Sequence, residues 1–215
     1  MIGWEWLGTV PYGEALERQR AYREQVIAGT EPEAIWLLEH PAVLTTGRRK
    51  VSDLPPREVF AAHGIEMYET ERGGLATFHG PGQLVAYVFV DAFRRGLGVR
   101  GTVDALEGAV ISWLRTRGIS AERDCEHRGV WVGDEKVCAV GLHFRKGVSM
   151  HGLALNLTTD LAPYALFTPC GIVDRGVTSL ERLTGSSPSP REAAPAVAAE
   201  LSAALEGVAN ACGSG

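Results

Sequence analysis

Four cysteines and three lysines are the side chains through which this sequence could carry out nucleophilic chemistry. Cys170 stands between Pro169 and Gly171, where proline kinks the chain and glycine leaves the backbone accessible. A thiol attacks a carbonyl carbon only as its thiolate, so it needs a neighbouring base or cation. Cys170 is therefore a candidate nucleophile, although the same flanks also fit an ordinary loop thiol.

The remaining cysteines have simpler interpretations. Cys138 lies in an apolar strand pattern and is expected to be a small buried hydrophobe. Cys125 is expected in a loop, and Cys212 lies in the C-terminal tail. Because there is no Cys-x-x-Cys pair and a chain this long does not need disulfides, we expect free thiols in a reducing, cytoplasmic setting.

Lys136 is the lysine that could serve such a thiol. It follows Asp134 and Glu135 at the mouth of an expected hairpin, and a lysine in that position is ordinarily a solvated turn residue. In contact with a cysteine it would act differently. Burial would favour the neutral amine, while the ion pair would favour the thiolate.

Residues 72–83 form a segment suited to ligand contact, because four glycines and a proline are interleaved with Arg72, Thr77, His79 and Gln83. Glycine lets a backbone approach a ligand closely and present its N–H groups as donors. The alternative is a turn-rich connection between two strands. Composition alone leaves both open.

Two rival sites use the histidines. A zinc site could combine His79, His143 and His151 with Cys138 or Cys170, but no His-x-x-x-His or Cys-x-x-Cys spacing supports it, and we expect no metal. A cysteine–histidine dyad of Cys170 with His79 stays open, because the fold decides which side chain meets the thiol. Asn156, inside an apolar run, is expected to have a structural role.

The elements that must position these residues follow from hydrophobic periodicity and from glycine and proline breaks. Helices are expected at residues 12–26, 58–63 and 103–114 and from Pro190 onward. Strands are expected at residues 34–40, 65–70, 76–79, 83–90, 129–132, 136–144 and 149–157. Strands outnumber helices without regular βα alternation, which predicts an α/β fold of the α+β type, with mixed β-sheets and packed helices in a single domain over residues 1–215.

The bulk properties exclude several classes of protein. The chain has 215 residues, 45% hydrophobic and 22% charged, as is usual for a globular protein. A net charge of −5 argues against wholesale nucleic-acid binding. The N-terminus lacks a signal-peptide pattern, and no run of about 18 apolar residues predicts a membrane span.

Taken together and in order, these segments resemble the octanoyltransferase family of protein lipoylation, also called lipoyl(octanoyl) transferases. Residues 72–83 resemble that family's pattern of Arg-Gly-Gly, two residues, Thr, an aromatic, His and Gly-Pro-Gly-Gln at every position. Similar elements occur at residues 37–41, 46–49, 129–132, 136–142, 151–157, 169–172 and 176–180. The resemblance extends from about Tyr12 to Leu183, so only the alanine-rich end lies outside it.

The resemblance implies a fold like that of the catalytic domain of biotin and lipoate protein ligases. It also implies an acyl-transfer reaction. Octanoyl-acyl carrier protein would donate its acyl group from the phosphopantetheine arm to Cys170, with Lys136 lowering the thiol pKa and shuttling protons. A lysine of a lipoyl domain, in a 2-oxoacid dehydrogenase complex or the glycine cleavage H protein, would then take the acyl group. This is the first step of endogenous protein lipoylation, and it needs no ATP and no cofactor.

The resemblance also implies which residues bind the acyl substrate. They are Arg72, Gly73, Gly74, Leu75, Ala76, Thr77, Phe78, His79, Ala139, Val140, Gly141, Gly152, Leu153 and Ala154.

Because carrier proteins are usually acidic, a basic patch is needed for docking. Two candidates are Arg48, Arg49 and Lys50, or Arg94, Arg95 and Arg100.

The protein is expected to be a monomer. Two other functions compete with octanoyl transfer. An ATP-dependent lipoate or biotin ligase of the same fold needs no cysteine nucleophile, so the Pro169-Cys170-Gly171 element favours transfer. A non-catalytic protein that binds acyl groups or lipoyl domains is disfavoured by the presence of both Cys170 and Lys136.

Overall fold

A computed structural model describes residues 1–49, 54–124, 126–167 and 175–206. Within them the strands are β1 (Gly3–Thr9), β2 (Ala34–Glu39), β3 (Val43–Thr46), β4 (Glu66–Glu69), β5 (Ala76–His79), β6 (Gln83–Phe89), β7 (Glu122–Arg123), β8 (Val130–Val132), β9 (Glu135–Arg145), β10 (Val148–Asn156) and β11 (Gly176–Val177). The α-helices are α1 (Tyr12–Ala28), α2 (Arg57–Ala62), α3 (Gly98–Arg115), α4 (Leu180–Thr184) and α5 (Pro190–Glu206). A 3-10 helix spans Ala162–Leu166.

The described strands form two mixed sheets. The larger has the order β1-β2-β6-β10-β9-β8-β7, with β11 pairing beside β9, and the smaller has the order β4-β3-β5. Pairing is parallel for β1 with β2, β3 with β4 and β11 with β9, and antiparallel elsewhere. Every residue of β6 is buried, as expected of a strand covered on both faces. The predicted class of mixed sheets with packed helices is confirmed.

Helices α3 and α5 cover one face of the large sheet, and α1 covers the other. The helix expected at residues 103–114 is confirmed, and Leu106, Val110, Trp113 and Leu114 form its apolar stripe, since all four are fully or almost fully buried. On α1, Tyr12 and Leu16 pack against β2 and β6.

The small sheet contains a strand that the sequence did not predict. β3 has four residues, too few for a clear alternation, yet it pairs with both β4 and β5 and is the central strand. β1 was also missed, because this edge strand shows no regular alternation of buried and exposed residues. No helix within the described residues is long and apolar enough to cross a bilayer.

Candidate active site

A cavity of about 350 Å³ lies between the glycine-rich segment before β5 and the middle of β9 and β10. Its floor is formed by side chains of α1 and β6, including Tyr12, Val85 and Tyr87. The exposed residues Arg49, Val99 and Glu126 border its mouth. Its size and its mixture of apolar walls with a few polar groups are typical of a small-molecule site.

The cavity collects most of the site residues that the sequence analysis named. Lys136 lines it, together with thirteen of the fourteen expected substrate-binding residues: Arg72, Gly73, Gly74, Leu75, Ala76, Thr77, His79, Ala139, Val140, Gly141, Gly152, Leu153 and Ala154. These residues come from the segment around β5 and, much later in the sequence, from the two strands of the β9–β10 hairpin. They meet because β9 pairs with β10 while the 72–75 loop packs over β9.

Phe78 is the one expected substrate-binding residue that does not line the cavity. Successive side chains of a strand point to opposite faces, so Phe78 lies opposite Thr77 and His79 on β5. Its ring packs edge-on against Tyr164, 5.7 Å away between centroids, in the cluster around Phe60. The structure therefore places Phe78 in the core of the small sheet.

Glycines are needed where the segments meet because the backbones nearly touch. The Gly73 N–H donates to the Leu142 carbonyl at 2.9 Å, which fastens the 72–75 loop to β9. A Cβ on Gly141 would lie 3.0 Å from the Gly73 oxygen, and a Cβ on Gly152 would lie 2.0 Å from the Ala86 oxygen. A side chain at Gly152 would force the sheet itself to shift.

Arg72 is buried at the cavity wall, where its guanidinium hydrogen-bonds both to β3 of the small sheet and to the 72–75 loop. Its Nη2 donates to the Thr45 carbonyl at 2.6 Å and to the Thr45 hydroxyl at 2.9 Å. Its Nη1 donates to the Gly73 carbonyl at 3.2 Å. The arginine of the glycine-rich segment thus holds the backbone that forms the cavity wall.

His79 belongs to a buried hydrogen-bond chain in which one end fixes the direction of every donor. Asn156 Nδ2 donates to the Thr178 carbonyl, so Asn156 Oδ1 accepts from Gln83 Nε2 at 2.9 Å. Gln83 Oε1 must then accept from His79 Nδ1 at 2.8 Å, which leaves His79 Nε2 as an acceptor facing the Thr45 hydroxyl at 3.4 Å. Burial lowers the pKa of His79 to about 3, so the imidazole is neutral.

Lys136 is buried, since only 7% of its surface is exposed. The interpretation of Lys136 as an ordinary solvated turn residue is therefore wrong. Its Nζ donates to the Arg128 carbonyl at 3.0 Å and lies 4.7 Å from the centroid of the Trp131 ring. β9 carries Lys136 between Trp131 on β8 and Val177 on β11. The amine therefore has a defined position at the wall of the cavity.

Cys170 falls outside the described residues, as do Lys50, Cys125 and Cys212. The described residues on either side of the 168–174 segment flank the site. Phe167 packs in the small-sheet cluster with Phe60. Arg175 pairs with Asp124 and stacks on Trp131 at 4.8 Å, the same ring that Lys136 contacts.

The predicted interpretation of Cys138 is confirmed. The residue is fully buried on β9, and burial raises the pKa of its thiol well above the usual range. A buried thiol with a raised pKa is a poor nucleophile. Cys138 therefore belongs to the packing of the core.

The remaining histidines of the rival zinc site occupy separate settings. His143 Nδ1 lies 2.8 Å from Arg23 Nη1, a cation that opposes metal binding. His151 has a φ of 64°, and its buried Nε2 has no hydrogen-bond partner among the described residues. Burial lowers the pKa of His151 to about 3. No group of three or more potential metal ligands occurs within the described ranges.

Several residues that line or support the cavity carried no sequence signal. Tyr12, Thr45 and Tyr87 belong to ordinary amphipathic or buried elements. Arg128 contributes its main-chain carbonyl, a group every residue has. Nothing in the residue types could have revealed these contacts, because they depend on which elements pack together.

The family model described as "Lipoyl protein ligase A/B catalytic domain" matches residues 11–202. An octanoyltransferase of Alkaliphilus metalliredigens is 41% identical over 182 residues, covering 83% of this chain and 84% of the relative. An octanoyltransferase of Clavibacter sepedonicus is 42% identical over 206 residues, covering 92% and 86%.

Among solved structures, lipoate-protein ligase A bound with ATP superposes with a TM-score of 0.74 at 20% identity, covering 95% of this chain and 86% of that one. The biotin protein ligase of Aquifex aeolicus superposes with a TM-score of 0.57 at 13% identity, covering 96% and 70%. At these identities the two structures establish likeness of fold.

Proposed function

Because the chain belongs to the octanoyltransferase family, within the lipoyl protein ligase A/B catalytic domains, we propose that it transfers an octanoyl group from acyl carrier protein to a lysine of a lipoyl domain through a Cys170 thioester. The observation that carries the proposal is the cavity. It brings buried Lys136 together with all three segments expected to bind an acyl chain. Its walls at Ala139, Val140 and Leu153 are apolar, which suits a fatty chain.

In the proposed first half-reaction, the Cys170 thiolate attacks the thioester carbonyl of the donor. The carbon–sulfur bond to the phosphopantetheine arm breaks as the bond to Cys170 forms, and the departing thiolate takes up the proton that Lys136 received from Cys170. Exchange of one thioester for another is nearly isoenergetic, so the acyl-enzyme can form without ATP. An activated donor makes an adenylation step unnecessary.

In the second half-reaction, the neutral amine of the acceptor lysine attacks the Cys170 thioester. An amide forms, Cys170 leaves as a thiolate, and the proton lost by the attacking amine passes to Lys136. Conversion of a thioester into an amide is downhill, which gives the overall reaction its direction.

The geometry favours Lys136 over His79 as the partner of the thiol. A general base works best when its pKa is near the working pH, whereas burial lowers the pKa of His79 to about 3. The ring nitrogens of His79 are also occupied by Gln83 and Thr45. Lys136 Nζ is held 3.0 Å from the Arg128 carbonyl, and Lys136 pairs with Val177 on β11, the strand that follows Arg175.

The distribution of charge favours one docking site for the acidic donor. Arg94 and Arg95 both pair with Glu33, and Arg100 faces Asp104 at 3.9 Å, so the charge of the second basic cluster is partly compensated. Arg48 and Arg49 form no ion pair within the described residues, and Arg49 borders the cavity mouth. We therefore assign carrier-protein docking to the surface around Arg48 and Arg49.

Intact-mass spectrometry with octanoyl carrier protein tests the mechanism. We expect one added octanoyl group, released by hydroxylamine, in the parent and in Cys138→Ser, whose thiol is buried. Cys170→Ala is expected to carry no adduct, and Lys136→Ala to acylate slowly. An adduct that persists in Cys170→Ala contradicts the thioester assignment.

The ligase alternative makes the opposite prediction about substrates. The fold shared with lipoate-protein ligase A is the observation in its favour. Activity with free octanoate and ATP, but none with octanoyl carrier protein, would replace transfer by ligation. Light scattering of the purified chain tests the expected monomer.

A further inference from the structure

Glu107 is a carboxylate buried completely on α3, a helix whose other buried side chains are apolar except for that of Thr102. Carboxylates are rarely buried unless they are paired and hydrogen-bonded, because removing the charge from water is costly. Its Oε2 faces the guanidinium of Arg128 at 3.2 Å and that of Arg123 at 3.6 Å. Its Oε1 accepts the main-chain N–H of Gly129 at 2.8 Å.

The Gly129 N–H belongs to the same peptide group as the Arg128 carbonyl, which accepts from Lys136 Nζ at 3.0 Å. The N–H and C=O of a trans peptide point in opposite directions. One planar peptide group therefore lies between a buried carboxylate and the buried amine. With these two contacts and standard peptide dimensions, the carboxylate oxygen and Nζ are at most about 8 Å apart.

We propose that Glu107 is a positioning residue that acts on Lys136 through the Arg128–Gly129 peptide group. Its carboxylate fixes the plane of the peptide and polarises it, so that the carbonyl accepts more strongly from the Lys136 amine. The inference rests on the proposed function, in which Lys136 supports the Cys170 thiolate and carries its proton.

The local packing explains why the arrangement has little freedom. Gly129 has a φ of 132°, and a Cβ there would lie 3.2 Å from both Cδ and Cε of Lys136. The lysine stem therefore passes directly over the bare Cα of Gly129. Trp131 closes the other side, since its Nε1 donates to the His127 carbonyl at 2.9 Å while its ring faces the amine.

A double-mutant cycle separates this role from a purely structural one. The variants are Glu107→Gln and Lys136→Ala, alone and together, and the readout is the rate of Cys170 alkylation by iodoacetamide, followed by peptide mass spectrometry across pH. Glutamine preserves the size of the side chain and an acceptor for Gly129 but removes the charge. We expect Glu107→Gln to slow alkylation of Cys170 roughly tenfold at neutral pH, a size typical of residues in one hydrogen-bond network. The midpoint of the alkylation pH profile should move upward, because the Lys136 ammonium beside the thiolate is held less firmly.

In the Lys136→Ala background, the same Glu107→Gln change is expected to alter the rate less than about twofold, because the residue through which it acts is gone. Asp104→Asn is the matched control. Asp104 contacts the Arg128 guanidinium at 2.7 Å but does not touch the Arg128–Gly129 peptide, and its removal is expected to leave the pH midpoint in place. Should Glu107→Gln fail to fold, Glu107→Asp enters the same cycle.

The outcomes distinguish this inference from the proposed function. Equal slowing by Glu107→Gln in both backgrounds, or no effect while Lys136→Ala slows alkylation, overturns the role of Glu107 and leaves the function intact. No effect of Lys136→Ala on alkylation or on acylation overturns the assignment of Lys136 itself.

Discussion

Gly129→Ala is the substitution for which the structure gives the sharpest expectation. A Cβ at this position would lie 2.5 Å from the carbonyl oxygen of Cys138, a main-chain atom held within β9. It would also press on Cδ and Cε of Lys136. The φ of 132° at Gly129 adds backbone strain, because residues with side chains rarely adopt it.

The strain and the overpacking should each cost about 1–3 kcal/mol of unfolding free energy. For a chain of this size, about 2–4 °C is lost per kcal/mol, so we expect the melting temperature of Gly129→Ala to fall by roughly 10 °C. Because the Lys136 stem must move, acylation by octanoyl carrier protein should also slow by about 10²-fold, the effect of misplacing a reacting group by about 1 Å.

Gly133→Ala provides the control. Gly133 also has a positive φ, 58°, but a Cβ there would meet no atom within 4 Å. We expect it to cost about 1 kcal/mol, or about 2–4 °C, and to leave acylation unchanged. Calorimetry measures the melting temperature, and quenched-flow mixing with octanoyl carrier protein measures the acylation rate. If Gly129→Ala had the melting temperature and the acylation rate of the parent chain, this glycine would not be needed to position Lys136.

Three further predictions concern pH, charge and thiol reactivity. Burial lowers the pKa of His40 to about 4 and those of His79 and His151 to about 3, against 6.5 in the unfolded chain. The unfolded chain therefore binds more protons between those values, and the free energy of unfolding must fall as the pH falls. Urea unfolding at pH 5 should give about 6 kcal/mol less than at pH 7, and a flat profile would contradict this. Arg49→Glu should slow acylation by carrier protein about tenfold at low salt, whereas Arg94→Glu, at an arginine that Glu33 already pairs, should not; equal effects would remove the docking assignment. Cys138 should resist iodoacetamide in the native protein, and its labelling there would show that β9 opens.

Much of the fold could be predicted because its elements carry their own periodic signal. The stripe on α3, the strand at 76–79 and the hairpin of β8 and β9 depend on neighbours close in sequence. β3 was missed because four residues give too little periodicity, and its identity depends on pairing with β4 and β5. The small sheet that forms one wall of the cavity therefore needed the tertiary structure.

The candidate site divides in a similar way. Local motifs predicted Lys136 and the segments that line the cavity, because glycines, arginine and histidine at fixed spacing are visible in sequence. The direction of Phe78 was not visible, because a motif does not state which face of a strand meets the ligand. Contacts between distant residues, such as Gln83 with Asn156, were also beyond local patterns.

By itself, the sequence determined which thiol and which lysine are candidates and which segments accompany them, since residue type and order are properties of the chain. Only the tertiary structure decided that Lys136 is buried and that one peptide group joins it to Glu107 on α3. The physical reason is that burial and hydrogen-bond partners are set by how elements pack. Glu107 and Lys136 lie on opposite sides of the Arg128–Gly129 peptide group because α3 packs against the loop that precedes β8, and no spacing along the chain encodes that arrangement.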